Sequence, residues 1–140
     1  MAKDFFHEAA KRALQNDGWT ITHDPFLIPI NARGVFADLG AEKVIAAERE
    51  KDLIVVEVKS FLGLSVVTDF YSAIGKYELY FQALKKFFPE RKLYVAIPEK
   101  GYKNLVKDAF FAEVLVNLDI KLIIFTTEKE EKEKIVKWIK

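Results

Sequence analysis

The run of residues 52–60, Asp-Leu-Ile-Val-Val-Glu-Val-Lys-Ser, constrains this chain more than any other stretch. Side chains alternate faces along a strand, so Leu53, Val55, Glu57 and Lys59 share one side and Ile54, Val56 and Val58 the other. A strand that is apolar on both faces belongs in the middle of a sheet covered on both sides. Glu57 and Lys59 conflict with that setting, because a buried carboxylate is costly unless it is paired or bound to a cation. An i,i+2 ion pair at a strand end answers the demand, and so does a metal site. Both answers stand on the residues alone.

Upstream, Asp38 sits in Phe36-Ala37-Asp38-Leu39-Gly40 and reads either as a turn former or as a second carboxylate for the same ion. Residues 43–48 form another apolar strand that returns through Glu50-Lys51 as a β-hairpin. The chain opens with a helix over 2–15, with Asp4 as N-cap, Gly18 past its end and Phe6, Ala10, Ala13 and Leu14 as its stripe. Glu8 lies off that stripe, four residues before Arg12. It suits either a surface pair or a contribution to the site. Residues 19–23 alternate as a strand, and Pro25 and Pro29 make 26–30 an edge or extended piece. His7 and His23 have no companion at metal-ligand spacing and read as structural or surface residues.

Val67, Phe70, Ile74, Tyr77, Phe81 and Leu84 recur at steps of three and four, predicting a long helix capped by Ser65 or Thr68. Gly75 inside it suggests close approach of another backbone, while Lys76 and Tyr80 point away from the stripe. Strands follow at 92–97 and 120–125, with a helix between them over 102–118. Thr127-Glu128-Lys129-Glu130 forms a capping box, predicting a last helix with Ile135, Val136 and Ile139 inward. The charge run over 128–134 reads as its solvated face.

The 140 residues suit one domain, 1–140, with 51% hydrophobic residues to fill its core. No apolar run nears the roughly 20 residues that cross a bilayer. The absence of Cys rules out thiolate zinc sites. A cytoplasmic protein without a membrane partner is the expectation. A net charge of +1 is not the footprint of a strongly basic nucleic-acid binder, so a DNA role must rest on a site or on a partner.

An Asp, a hairpin and then Glu-x-Lys resemble the core of the PD-(D/E)XK nuclease superfamily. The resemblance implies a restriction-endonuclease-like α/β fold, with a mixed central β-sheet built on the hairpin and flanked by α-helices. It implies that Asp38, Glu57 and the backbone carbonyl of Val58 bind Mg2+, with Mn2+ as a substitute. Lys59 then positions or activates the attacking water, and Glu8 matches an acidic residue that many members supply from the first helix. Relatives often carry Gln where Lys76 stands; Lys76 is either a DNA phosphate contact or solvated.

A narrower likeness spans the whole chain. Residues 36–43 and 45–48, Val56-Glu57-Val58-Lys59-Ser60-Phe61-Leu62-Gly63, Ala73-Ile74-Gly75-Lys76-Tyr77 and Val136-Lys137-Trp138-Ile139 resemble the XisH family. That family is known for cyanobacterial fdxN element excision controlling factors. The resemblance implies action on DNA with a XisI partner during heterocyst differentiation, a separate recombinase being involved indirectly. An exposed aromatic face would serve that complex or a homo-oligomer. Two roles stay open: a regulatory factor that retains a nuclease-like site, or an active magnesium-dependent endonuclease.

Overall fold

The computed structural model describes residues 2–29, 44–127 and 133–140. One six-stranded sheet organises them, and its strand order follows the chain: β1 (Thr20–His23), β2 (Val44–Arg49), β3 (Asp52–Val58), β4 (Arg91–Pro98), β5 (Leu122–Phe125), β6 (Ile135–Ile139). β1, β2 and β3 pair antiparallel, β3, β4 and β5 parallel, and β6 closes the far edge antiparallel to β5. The mixed α/β sheet expected from the sequence is present, with the 44–58 hairpin forming its second and third strands. Glu50 makes that turn with φ of 56°.

Alternation divides the core into two layers. Ile54 and Val56 of β3 and Tyr94 and Ala96 of β4 face α1 (Ala2–Asn16), which contributes Ala9, Ala10, Ala13 and Leu14. Val55, Leu93, Val95 and Ile97 face α2 (Val66–Phe87), α3 (Glu99–Val106) and α4 (Ala109–Asn117). Small alanines on α1 let that helix lie close to the sheet, whereas α2 fills its layer with Phe70, Tyr77, Tyr80 and Leu84. Tyr77 also ties the layers of backbone together. Its hydroxyl donates to the Leu93 carbonyl at 3.4 Å and accepts from the Lys121 amide at 3.3 Å.

Several expectations are corrected. The last element is a strand: β6 pairs Trp138 with Ile123 and Ile139 with Leu122. A register shift beside Phe125 lets both Ile135 and Trp138 pack in the α1 layer. The β-branched Ile135-Val136 pair fits an edge strand; of the capping box at 127–130, all but Thr127 lies outside the described residues. The helix expected over 102–118 is two helices, because Asp108 accepts hydrogen bonds from the Phe110 and Phe111 amides and starts a new one. Phe110 is exposed. Asp4 lies inside α1, which begins at Ala2.

On α2 the buried series is Phe70, Ala73, Tyr77, Tyr80 and Leu84, so Val67 and Phe81 are exposed and Tyr80 is fully buried. Ser65 is the N-cap, its hydroxyl accepting from the Thr68 amide at 3.1 Å. Among the described residues nothing lies within 4 Å of a Cβ on Gly75, so none of their backbone demands that glycine. Phe26 and Ile28 are core residues despite the flanking prolines, with the Arg91 guanidinium 4.9 Å from the Phe26 ring centre.

Candidate functional site

Glu57 is 1% exposed, the buried charged residue among the described ones. It stands between Val44 of β2 and Val95 of β4 and shares the α2-facing side with Val55. Lys59 follows just beyond β3, half-buried, and its amide donates to the Ala96 carbonyl at 3.0 Å. That bond extends the β3–β4 ladder by one step and fixes the direction in which the lysine leaves the sheet. Val58 is half-buried between them.

The segment after Lys59 is clamped by α3, which the sequence did not announce. Gly101, on the first turn of α3, packs so closely that a Cβ there would overlap the Ser60 carbonyl oxygen. Asn104, one turn on, donates to the Phe61 carbonyl at 2.9 Å. Phe61 is buried and has φ of 57°, a left-handed conformation that costs a non-glycine residue about 1 kcal/mol. Gly101 and Asn104 are therefore positioning residues for the turn that follows the motif. The Gly101-x-x-Asn104 spacing was readable as one helix face, but its target was not.

α2 packs on the side of the sheet that Glu57 faces. Lys76 is half-buried on it and Tyr80, one turn later, is fully buried in the same layer as Val55 and Val95. The expectation that Lys76 and Tyr80 point away from the apolar stripe is corrected for Tyr80, which belongs to the buried series. The described part of β2 opens at Val44, opposite Glu57, and Asp38 lies outside the described residues.

Glu8 belongs to α1, the helix over the other layer. It is exposed and pairs with Lys11 at 3.4 Å rather than with Arg12, whose guanidinium donates to Glu133 at 2.9 Å. Lys11 also reaches Asp24 at 2.7 Å, and Asp24 shares a 2.8 Å hydrogen bond with His7. His7, Glu8 and Asp24 offer donor atoms within 4.8 Å of one another. The sequence placed no partner beside His7, because Asp24 is 17 positions away. Lys11 supplies the cation that balances these carboxylates; the Asp24 hydrogen bond raises its own pKa. Burial works to raise the Asp24 carboxyl, but hydrogen bonds with Lys11 and His7 outweigh it and hold it below its ordinary value.

The fold and motif thus define an α/β protein whose central strand carries a buried glutamate near its carboxyl end, followed by a lysine and a turn clamped by α3. The XisH protein family model matches residues 1–133, and the chain belongs to that family. Two solved structures are similar to it, each with a TM-score of 0.85, 40% identity and 98% of this chain covered. One is an fdxN element excision controlling factor protein from Anabaena variabilis, 99% covered; the other is an XisH family protein from Nostoc punctiforme, 100% covered. No curated protein matches the chain. Among the described residues, no helix is long and apolar enough to cross a membrane.

Proposed function

We propose that this protein is an XisH-type factor controlling excision of a DNA element, built on a restriction-endonuclease-like scaffold with a PD-(D/E)XK-type metal site. The observation that carries the reading is a glutamate buried to 1% exposure at the carboxyl end of a central strand, two residues before a lysine. A scaffold with no ionic chemistry gains nothing from a carboxylate there, whose desolvation costs several kcal/mol (~2–7 for a neutral polar group alone). The 40% identity to a protein named as an fdxN element excision controlling factor supports the cellular role.

The donors fit magnesium or manganese: carboxylate oxygens of Glu57 and Asp38 and the Val58 carbonyl are the hard ligands these ions take. Such an ion supplies Lewis-acid polarisation of a phosphate oxygen. The Lys59 backbone is fixed by the amide bond to Ala96 just before the α3-clamped turn, and its ammonium would orient a water and offset phosphate charge. Lys76 adds a second cation from α2. Exposed Leu62, Leu64, Val67 and Tyr71, which follow the motif in sequence, support a XisI-like protein partner. With a net charge of +1, tight DNA binding then depends on that partner, and the cut and rejoining belong to a separate recombinase.

Calorimetric titration with Mg2+ and Mn2+ tests the site. Wild type binds one ion, and Glu57→Gln and Asp38→Ala each weaken binding at least about tenfold. Equal heats in all three proteins would refute it. Nicking of supercoiled DNA, with Lys59→Ala as control, separates a regulatory factor from an active endonuclease.

A further inference from the structure

Both tryptophans of the chain border one cavity, at the opposite end of β3 from the Glu57 motif and on the opposite face. The cavity measures about 160 Å³. Its floor is aromatic. Trp138 lies 5.6 Å from Trp19, and Tyr94 meets Trp138 edge-on at 5.1 Å. Trp19 and Tyr94 are buried, so these rings are held in place rather than swinging free.

The rim is charged. Alternation brings Arg49, Asp52, Lys92 and Lys140 to the face that carries Ile54, Tyr94 and Trp138, and all of them line the cavity. The Arg49 guanidinium lies 4.5 Å from the Trp19 ring centre and is anchored by Asp17 at 2.9 Å. Its charge is therefore largely answered. Among the described side chains that line the cavity, Lys92 and Lys140 are exposed and Asp52 is the carboxylate beside them.

We propose that this cavity binds a nucleobase carrying a phosphate, the base lying against the half-buried Trp138, which Trp19 and Tyr94 hold in place, and the phosphate meeting Lys92 and Lys140. Pockets that enclose a drug-sized ligand hold about 300–1,000 Å³, so this one takes a single ring system and leaves the phosphate at its mouth. Aromatic rings accept any base by stacking, and lysines recognise phosphate as point charges. Ile54 on the cavity lining is three strand steps, roughly 10 Å, from Glu57 and on the opposite face of the sheet, so the cavity is a separate site. It does not depend on the function proposed above.

Because Trp19 and Trp138 are the two tryptophans of the chain, intrinsic emission reports on the cavity directly. The whole protein is titrated with deoxyadenosine 5′-monophosphate, deoxyadenosine, inorganic phosphate and a 5′-phosphorylated trinucleotide. The monophosphate is expected to saturate below about 1 mM, with deoxyadenosine and phosphate each at least about tenfold weaker. Trp138→Leu weakens binding about tenfold, read by Trp19 emission and calorimetry. Should that variant fold poorly, exposed Lys92→Glu weakens it about fivefold and Asp52→Asn tightens it about twofold. A trinucleotide that binds at least as well as the monophosphate identifies a strand end as the natural form; weaker binding identifies the free nucleotide. Absence of saturation by the monophosphate, or affinities unchanged in both charge variants, overturns the proposal.

Discussion

The two helical glycines, Gly75 and Gly101, should respond in opposite directions to the same substitution. At Gly101 a Cβ would overlap the Ser60 carbonyl oxygen, inside the 3.0 Å limit that real Cβ contacts keep. The obstacle is backbone on both sides, so α3 or the Ser60–Phe61 turn must shift. Overpacking of that kind costs about 1–3 kcal/mol, and backbone places it near 3. The better helix propensity of alanine returns at most about 1 kcal/mol. Gly101→Ala is thus expected to destabilise by about 2 kcal/mol. Among the described residues Gly75→Ala adds its methyl to open space and should stabilise by roughly 0.7–1 kcal/mol. Urea unfolding followed by circular dichroism reads the difference. At an m-value of about 2 kcal/mol/M, the two midpoints separate by about 1.5 M. Midpoints that move the same way, or a Gly101→Ala protein indistinguishable from wild type, would show that α3 does not clamp the motif turn.

Asn104→Ala removes the hydrogen bond to the Phe61 carbonyl and should cost about 1 kcal/mol in the same assay. Tyr77→Phe strips the acceptor from the Lys121 amide and should destabilise by about 1–2 kcal/mol, measured by thermal unfolding. Asp24 has a folded-state pKa below its ordinary value, so its contribution is present above about pH 4 and is lost as pH falls through the folded value. Asp24→Asn should therefore flatten the acid side of the stability–pH curve below about pH 4; an unchanged acid limb in denaturant titrations would argue against the His7–Asp24–Lys11 network. Arg12→Ala breaks an exposed pair with Glu133 and should cost no more than about 0.5 kcal/mol.

The central strands were readable because two-faced apolar runs leave few alternatives. Residues 52–58 announced both their strand and their central place. α2 was readable in extent but not in rotation. Its apolar residues cover more than one stripe, and the side against the sheet is set by which of Tyr80 and Phe81 finds room, a tertiary decision. The C-terminal element was misread because helix-start chemistry at 127–130 outweighed the β-branched pair Ile135-Val136, whose strand exists by pairing with β5. At the site, Glu57 and Lys59 stood out as charges in an apolar run. Their clamp did not, because Gly101 and Asn104 lie more than forty positions away, and nothing local in Gly-x-x-Asn names a carbonyl as its target. His7 and Asp24 were missed for the same reason.

Spatial order and chain order coincide in this sheet, and that bears on how the polypeptide assembles as it leaves the ribosome. Each strand finds its neighbour already synthesised, so pairing can advance from one edge to the other without waiting for distant segments. The exception is the tie between the two ends. Arg12 must wait for Glu133, 121 positions later, and Trp19 for Trp138. Until those last residues emerge, the layer beneath α1 stays open along one side, and a nascent chain stalled before them exposes Ile123 and Phe125 to whatever chaperone or neighbour is at hand.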